Sequence, residues 1–560
     1  MLTASQDAVL VYNGEVYNYQ ALREQLRAEG VSFRSDCDTE VVLLALHHWG
    51  PRKAVPLFDG MFAFAYYDLR AGELWLARDR LGIKPMSVAQ LGDRILFASE
   101  DKAILAADGV ARDIDTREIT LRLAWQSRDS SSSLFRNIGR LSPGELWRID
   151  DGGIEKTCFW HVLDALDASR VVADRVSATD HMKSLESLLS DSVGMHCRAD
   201  ASIATACSRG VDSGMITVLS RRFRQDFHAY VLDPRPGPSE AEGAALTAAR
   251  ASVPLRRVAL DRERFIDLWP KMVWHLESDG WHSSAMGLLA LTEQCRTDGV
   301  KVLLTGEGAD ELFGGYPWQH RRTRQWRTLS AARRLLMGRN AFERKVRKAR
   351  RAPFAQTFSN PPALDRYNVL RSLSPELNFL EIKLFDLMEP VTPLADRAYL
   401  AGCLFDMYSH LQDLLHRHDR LSMAASVELR VPFIENTLID FAIHLPRRFK
   451  YRWGTTKWLL KKVAERHIPK QNVYAPKSGF DVSHQLSVGA EKLLRGGLLA
   501  DAMRWPSSSI ADIENLAREH EHSRLRLVGM ELFLRLYAGG ETQEQLSERL
   551  RAVIKQPAAA

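Results

Sequence analysis

The chain has six cysteines in 560 residues, Cys37, Cys158, Cys197, Cys207, Cys295 and Cys403, scattered without a single CxxC pair. That spacing excludes a zinc ribbon and a dense disulfide framework, and it fits the reduced interior of a cytoplasmic protein. No uninterrupted apolar run approaches membrane-spanning length, so no membrane partner is expected. The opening MLTASQDAVLVYNGE has neither a basic n-region nor an apolar core, and no signal peptide is expected. GxxxxGK[ST] is absent, which removes a Walker-type phosphate loop from consideration.

Apolar residues make up 45% and charged residues 26%, as in soluble globular proteins, and the length points to two domains. The net charge of +6 is uneven. Residues 321–351 hold thirteen Lys/Arg against one acid, Glu343, a local +12, so the remainder carries −6. This arginine-rich stretch suits a solvated helical insertion better than a nucleic-acid surface, because aromatics are sparse and no RNA-binding motif accompanies it.

Residues 8–110 read as short strands and turns around one helix, an α+β region rich in sheet. YQALREQLRAEG is the helix, closing on Gly30; GMFAFAYYD and GELWLARD are neighbouring antiparallel strands joined at Arg70-Ala71-Gly72, and GDRILFASE continues in the same style. After about residue 162 strands alternate with helices: SLESLLSDSVGMH, ASIATAC, DSGMITVLSRRF, DFHAYVLD, SEAEGAALTAARAS. That alternation predicts a doubly wound parallel sheet. VKVLLTGE adds a strand, and from residue 390 the chain reads as mostly helical with no clear repeat. The expected division is 1–162, a connecting segment 163–180, and 181–555 with a basic insertion at 320–352.

Two turns carry the chemistry. Ser208-Arg209-Gly210-Val211-Asp212-Ser213-Gly214 follows a buried strand and opens a helix, where unpaired amides and the helix dipole favour phosphate. A serine, glycine and Asp-Ser turn suits pyrophosphate with Asp212 on Mg²⁺; an ordinary helix cap explains the turn equally well. VLLTGEGADELFGGYPW tips the balance. Glu307, Asp310 and Glu311 crowd three carboxylates among glycines after a core strand, and they repel unless a cation or cationic substrate compensates. His47-His48 and His416-Arg417-His418 lack ligand spacing and read as surface or packed histidines.

With these motifs the chain resembles the asparagine synthetase (glutamine-hydrolysing) family over nearly its whole length. The family's SGGxDSS loop is similar to Ser208–Gly214 and its GEGxDExFGGY signature to Gly306–Tyr316. Its DRxSMxxSxExRxPF run matches Asp419 through Phe433, and its late lysine loop resembles Lys477-Ser478-Gly479-Phe480. NGEVYNY, SDCDTEV, DGMFAFAYYD and ARDRLGIKP resemble its glutaminase domain. The resemblance implies an N-terminal Ntn-hydrolase-like sandwich of the class II amidotransferase type, incomplete at its start. A PP-loop ATP-pyrophosphatase domain of the adenine-nucleotide α-hydrolase type would follow, with a helical C-terminal part.

It also implies a ligase of amino-acid biosynthesis that uses ATP and Mg²⁺. Such an enzyme activates a carboxylate as an acyl-adenylate, releases pyrophosphate, and forms an amide with ammonia. Carried over, Asp212 and Asp310 would hold Mg²⁺, and Ser208, Gly210 and Ser213 would cradle pyrophosphate. Ala206, Leu232, Thr305 and Gly306 would border the nucleotide, Glu307 would handle proton transfer, and Lys477 would offset developing phosphate charge. Aspartate is the default acceptor; Trp281, Ala475 and the altered loop leave sugar acids and peptides open. Association as a homodimer stays open too.

Three departures stand out. Arg209 replaces a family glycine and Gly214 a serine, so a reshaped loop is expected, since a non-glycine resists positive φ; Arg209 could still lie along phosphate oxygens. Ala475 stands where the family has arginine. At the start, residue 2 is Leu rather than the cysteine nucleophile. Asn13 and Gly14, matching the oxyanion-hole pair, and Glu15 and Asp38, matching glutamine-holding residues, are present. Internal Cys37 lacks a free α-amine, and no glutamine hydrolysis is expected of the chain as written. A start assigned too late, a lost activity with use of free ammonia, and an amine-accepting ligase or lactam or peptide cyclase remain as explanations. A non-catalytic scaffold that has kept the fold is the rival of another class.

Overall fold

Alternating apolar positions and one tight turn organise the first sheet. β1 (Ala8–Val16) runs antiparallel to β2 (Gly60–Asp68), which returns as β3 (Glu73–Arg78). At the β2–β3 turn the Asp68 carboxylate accepts from the Arg70 and Ala71 amides while Gly72 takes φ +67°. A second sheet of β4 (Ser87–Leu91), β5 (Arg94–Ala98) and β6 (Gly139–Arg140) has the order β5-β4-β6. With β7 (Glu145–Asp150) and β8 (Gly153–Cys158) the first sheet becomes β1-β2-β3-β7-β8.

Ala63, Ala65, Leu76 and Trp147 cluster with Met86, Val88 and Leu141 and join the two sheets. A second cluster, with Phe62, Phe64, Leu22, Val41 and Leu46, joins the larger sheet to α1 (Tyr19–Ala28) and α2 (Asp38–Trp49). The computed structural model describes residues 1–124, 132–235, 237, 239–320, 375–476 and 484–554. The basic run 321–351 and Lys477 lie outside them.

The later region is a parallel sheet of β9 (Ile203–Ala206), β10 (His228–Pro234), β11 (Leu255–Leu260), β12 (Val302–Leu304) and β13 (Glu428–Arg430), ordered β11-β10-β9-β12-β13. Its connections include α3 (Val211–Ser220) after β9, α4 (Ala241–Ala251) after β10, and α5 (Arg262–Leu276) and α6 (Ser284–Thr297) after β11. α7 (Leu411–Ala424) precedes β13 and α8 (Trp458–Ala464) follows it. The chain leaves β9 towards one edge and returns to β12 on the other side. The loops after β9 and β12 therefore part at a topological switch point, the place where open parallel sheets hold ligands.

Three expectations change. Residues 8–110 contain α2 as well as α1; its central run 41–46 is continuously apolar and carries little amphipathic signal, which hid it. GDRILFASE belongs to the second sheet, paired with β4, and does not extend the β2–β3 sheet. The stretch after 390 is mostly helical but contributes β13, three residues long, recruited by pairing Val302–Leu304 with Glu428–Arg430. Local propensity does not specify so short an edge strand.

The antiparallel and parallel-sheet regions are tied by buried charge. Lys84 Nζ meets Asp419 Oδ1 at 2.8 Å with the two side chains 1% and 4% exposed. Arg420 pairs with Glu277 at 2.5 Å and donates to the Ser99 carbonyl at 2.6 Å. Glu277 in turn accepts from the Asp101 and Lys102 amides at 2.9 and 2.6 Å. Among the described residues, no helix is long and apolar enough to cross a membrane.

Candidate active site

The loop after β9 builds its own scaffold. Gly210 caps α3 at φ −70°, and Ser208 Oγ lies 2.8 Å from Ser213 Oγ and accepts from the Gly210 amide at 3.0 Å. The Ser208 amide donates to Ser213 Oγ at 3.0 Å. Seven described non-glycine residues take positive φ, and Arg209 is not among them, so the arginine sits there without left-handed backbone strain. The cost of the arginine falls on α4 instead: a Cβ at Gly243 would come 2.3 Å from Arg209 Cγ, so the arginine stem lies in a groove that only glycine leaves open.

The loop after β12 approaches this turn closely. A Cβ on Gly306 would sit 2.6 Å from the Ser213 amide nitrogen and 2.9 Å from Asp212 Cβ, so glycine is what permits the two loops to touch. Thr305, buried, donates its amide to the Arg430 carbonyl at 3.0 Å, which fixes the loop to β13. Ala206 ends β9, and Leu232 is buried within β10.

Asp212 and Asp310 meet at a residue that motif reading missed. Lys457 Nζ lies 2.5 Å from Asp212 Oδ2 and 2.6 Å from Asp310 Oδ1, with the lysine side chain 6% exposed. Burial opposes its charge, but the two carboxylates outweigh burial and hold the ammonium above its ordinary range. Lys457 sits at φ +49°, just before α8. A left-handed lysine carries backbone strain, and here it aims the side chain at both acids. No motif pointed to it, since one lysine in GTTKWLLKK reads as a solvated helix start.

Gly315 makes room for the arrangement: a Cβ there would lie 1.7 Å from Asp310 Oδ1 and 2.2 Å from Lys457 Cε. Gly315→Ala should therefore displace both groups and lower pyrophosphate release about 10²-fold, the scale set by a ~1 Å misplacement. An unchanged steady-state rate would show that the spacing does not matter.

Two carboxylates within reach of one cation fit Mg²⁺, which takes one or two protein carboxylates and completes its shell with phosphate oxygens and water. No group of three or more His, Cys, Asp or Glu suited to an all-protein metal cage occurs among the described residues. Glu307 stands apart from this pair, with Oε1 3.6 Å from His418 Nδ1. His418 is buried, in keeping with a packed histidine. Burial, with the Arg417 guanidinium adding to it, keeps its imidazole well below the ordinary range.

Glu311, which the sequence grouped with Glu307 and Asp310, is buried instead and accepts from the Tyr316 hydroxyl at 2.6 Å.

The glutamine-type residues gather at the β1–β2 edge. Gly14 takes φ +155° with the Met61 carbonyl where a Cβ would be, at 2.1 Å, so only glycine fits. Asn13 Nδ2 donates to Ser99 Oγ at 3.3 Å, and Asp38 accepts from the Tyr12 hydroxyl at 2.8 Å and the Val16 amide at 3.1 Å. Glu15 pairs with Arg430 of β13 at 3.1 Å. Burial raises the Glu15 carboxyl to about 7 despite the Arg430 guanidinium, with Asp38 and Glu428 pushing the same way. Arg430 thus links this edge by its side chain to Glu15 and by its carbonyl to the loop of Thr305 and Gly306.

Two touching loops at the switch point of a parallel sheet, carrying Asp212 and Asp310, form a candidate nucleotide site. The comparisons give the family. Residues 184–554 match the Asparagine synthase family model and residues 1–160 the Glutamine amidotransferase domain model. The chain belongs to the asparagine synthase family and is an ATP-dependent, amide-forming carbon–nitrogen ligase.

It is 29% identical to Asparagine synthetase [glutamine-hydrolyzing] 1 of Bacillus subtilis, over 84% of this chain and 75% of that protein. It is also 29% identical to a putative asparagine synthetase [glutamine-hydrolyzing] of Mycobacterium bovis, over 95% of this chain and 84% of the other. A Penicillium rubens protein named Amidase chyE is 26% identical over 87% of this chain and 78% of its own.

Proposed function

We propose that this enzyme activates a carboxylic acid, aspartate by default, and converts it to the amide with ammonia, in a cytoplasmic setting. A carboxylate oxygen attacks the α-phosphorus of ATP; the bond from that phosphorus to the bridging oxygen breaks and pyrophosphate leaves. Ammonia then attacks the acyl carbon, AMP departs with the bonding electrons, and Glu307 accepts a proton from the nitrogen.

Asp212 and Asp310 would hold Mg²⁺, which supplies charge neutralisation on the phosphates. Ser208, Gly210, Ser213 and the amides opening α3 cradle the leaving pyrophosphate, with Arg209 alongside. Ala206, Leu232, Thr305 and Gly306 border the nucleotide. Lys477 offsets phosphate charge, a role Lys457 shares from its place between the two acids.

The reading is carried by one observation: an ammonium bridges Asp212 and Asp310 although the acids follow different strands. Ammonia is taken as the attacking species because a neutral nitrogen nucleophile is what the acyl carbon requires, whether it is supplied free or from glutamine. The test mixes the protein with ATP, Mg²⁺, aspartate and ammonium. Pyrophosphate, AMP and asparagine should appear in equal amounts. ATP hydrolysis without amide, or no nucleotide binding, sinks the reading.

A further inference from the structure

A buried lysine that the chemistry above does not use stands behind the acidic turn. Lys450 ends the short helix Arg447–Lys450, is 2% exposed, and donates from Nζ to the Leu312 carbonyl at 2.5 Å. No ion pair accompanies it among the described residues. Burial draws its ammonium down to about 8, with the Cys403 thiol acting the other way. An ammonium kept from water without a counter-ion is expensive, so the one bond it makes is costly to maintain.

Leu312 belongs to the five-residue helix Ala309–Phe313, which carries Asp310. Five residues are too few for a helix to hold by itself. Gly314 and Gly315 both return their amides to the Asp310 carbonyl at 2.9 Å, and Lys450 takes the Leu312 carbonyl. The end of the turn is thus closed by glycine amides on one side and an ammonium on the other, as lysines do at helix C-termini. Further along the same segment, Lys457 reaches the Asp310 carboxylate itself at 2.6 Å. Residues 450–457 therefore grip the turn twice, once by its backbone and once by its acid.

We propose that Lys450 is a positioning residue of this ligase: its bond to Leu312 fixes the turn from which Asp310 reaches Mg²⁺. This deepens the ligase reading and rests on Asp310 as a carrier of that ion. Lys457 balances the charge of the acid, and Lys450 sets its place. A methionine at 450 leaves the Leu312 carbonyl without its donor; the turn relieves that by shifting and carries Asp310 with it.

Calorimetry with α,β-methylene-ATP on the full-length protein, once with Mg²⁺ and once with EDTA, reads this without turnover. The unchanged protein should bind the nucleotide more tightly with Mg²⁺. Lys450→Met should weaken binding with Mg²⁺ roughly 10–100-fold, the scale of losing a group that orients a metal ligand, and leave binding in EDTA within about two-fold. Lys450→Gln, with its donor on a shorter stem, should behave likewise and decides the matter if the methionine variant does not fold. Lys450→Arg keeps a charged donor and should retain most of the Mg²⁺ effect. Adding Lys450→Met to Asp310→Asn should change little further, because both act through one group. Lys84→Met, far along the chain and paired elsewhere, should lower the thermal transition without moving the Mg²⁺ effect.

A Mg²⁺ effect that survives Lys450→Met or Lys450→Gln overturns the proposal. So does an equal loss with Mg²⁺ and in EDTA, or a full further loss on top of Asp310→Asn. No Mg²⁺ effect in the unchanged protein rejects Asp310 as the carrier, and the ligase reading is then judged on pyrophosphate release alone.

Discussion

Lys457→Met should lower the rate of pyrophosphate release by about 10²–10³-fold, equivalent to about 2.7–4 kcal/mol of lost electrostatic stabilisation. The lysine contacts both Asp212 and Asp310, and removing its ammonium takes away the positive charge that holds the two carboxylates together in a half-buried crevice. One of them then binds a proton more readily, or a cation must enter.

The variant should therefore respond to Mg²⁺ by itself. In a thermal melt without nucleotide, millimolar Mg²⁺ should stabilise Lys457→Met more than the unchanged protein, because a ligand stabilises the form with the emptier site. An undiminished turnover rate, or identical melting shifts with Mg²⁺, would mean that the lysine and the ion do not share one locus.

Lys84→Met should cost about 3–5 kcal/mol of stability, since it strands the Asp419 carboxylate in the interior. Both partners are nearly inaccessible, and burial is outweighed by Asp419 and Glu428 in keeping the Lys84 ammonium above its ordinary range. Urea unfolding followed by tryptophan fluorescence measures the loss. Asp419→Leu introduced together with Lys84→Met should recover most of it, because a matched apolar pair carries no desolvated charge. A single-variant loss below about 1 kcal/mol would show that water reaches the pair. Asp419 opens the DRLSM run, so the experiment also separates a structural role for that motif from a catalytic one.

The turn chemistry that made the motifs visible is local. Asp68 with Gly72 and the Ser208–Ser213 pair act within a few residues of one loop, and composition alone exposes such sites. β13, Lys457 and the Arg430–Glu15 pair are contacts across 126 to 415 positions of chain, and nothing in their immediate neighbours marks them. His418 shows the same limit. Its spacing excluded a metal site, which left it without a role until α7 brought it to Glu307.

By itself the order of residues determined the alternation of strand and helix, the two glycine-spaced acidic turns and the family to which they belong, because these depend on short-range periodicity and backbone permissiveness. Only the tertiary structure decided that Asp212 and Asp310 share a lysine, that Glu311 turns inward to Tyr316, and that Arg417 stands buried against Trp281. The physical reason is that electrostatic partnership falls off within a few ångströms and depends on burial, and neither distance nor burial is written along the chain.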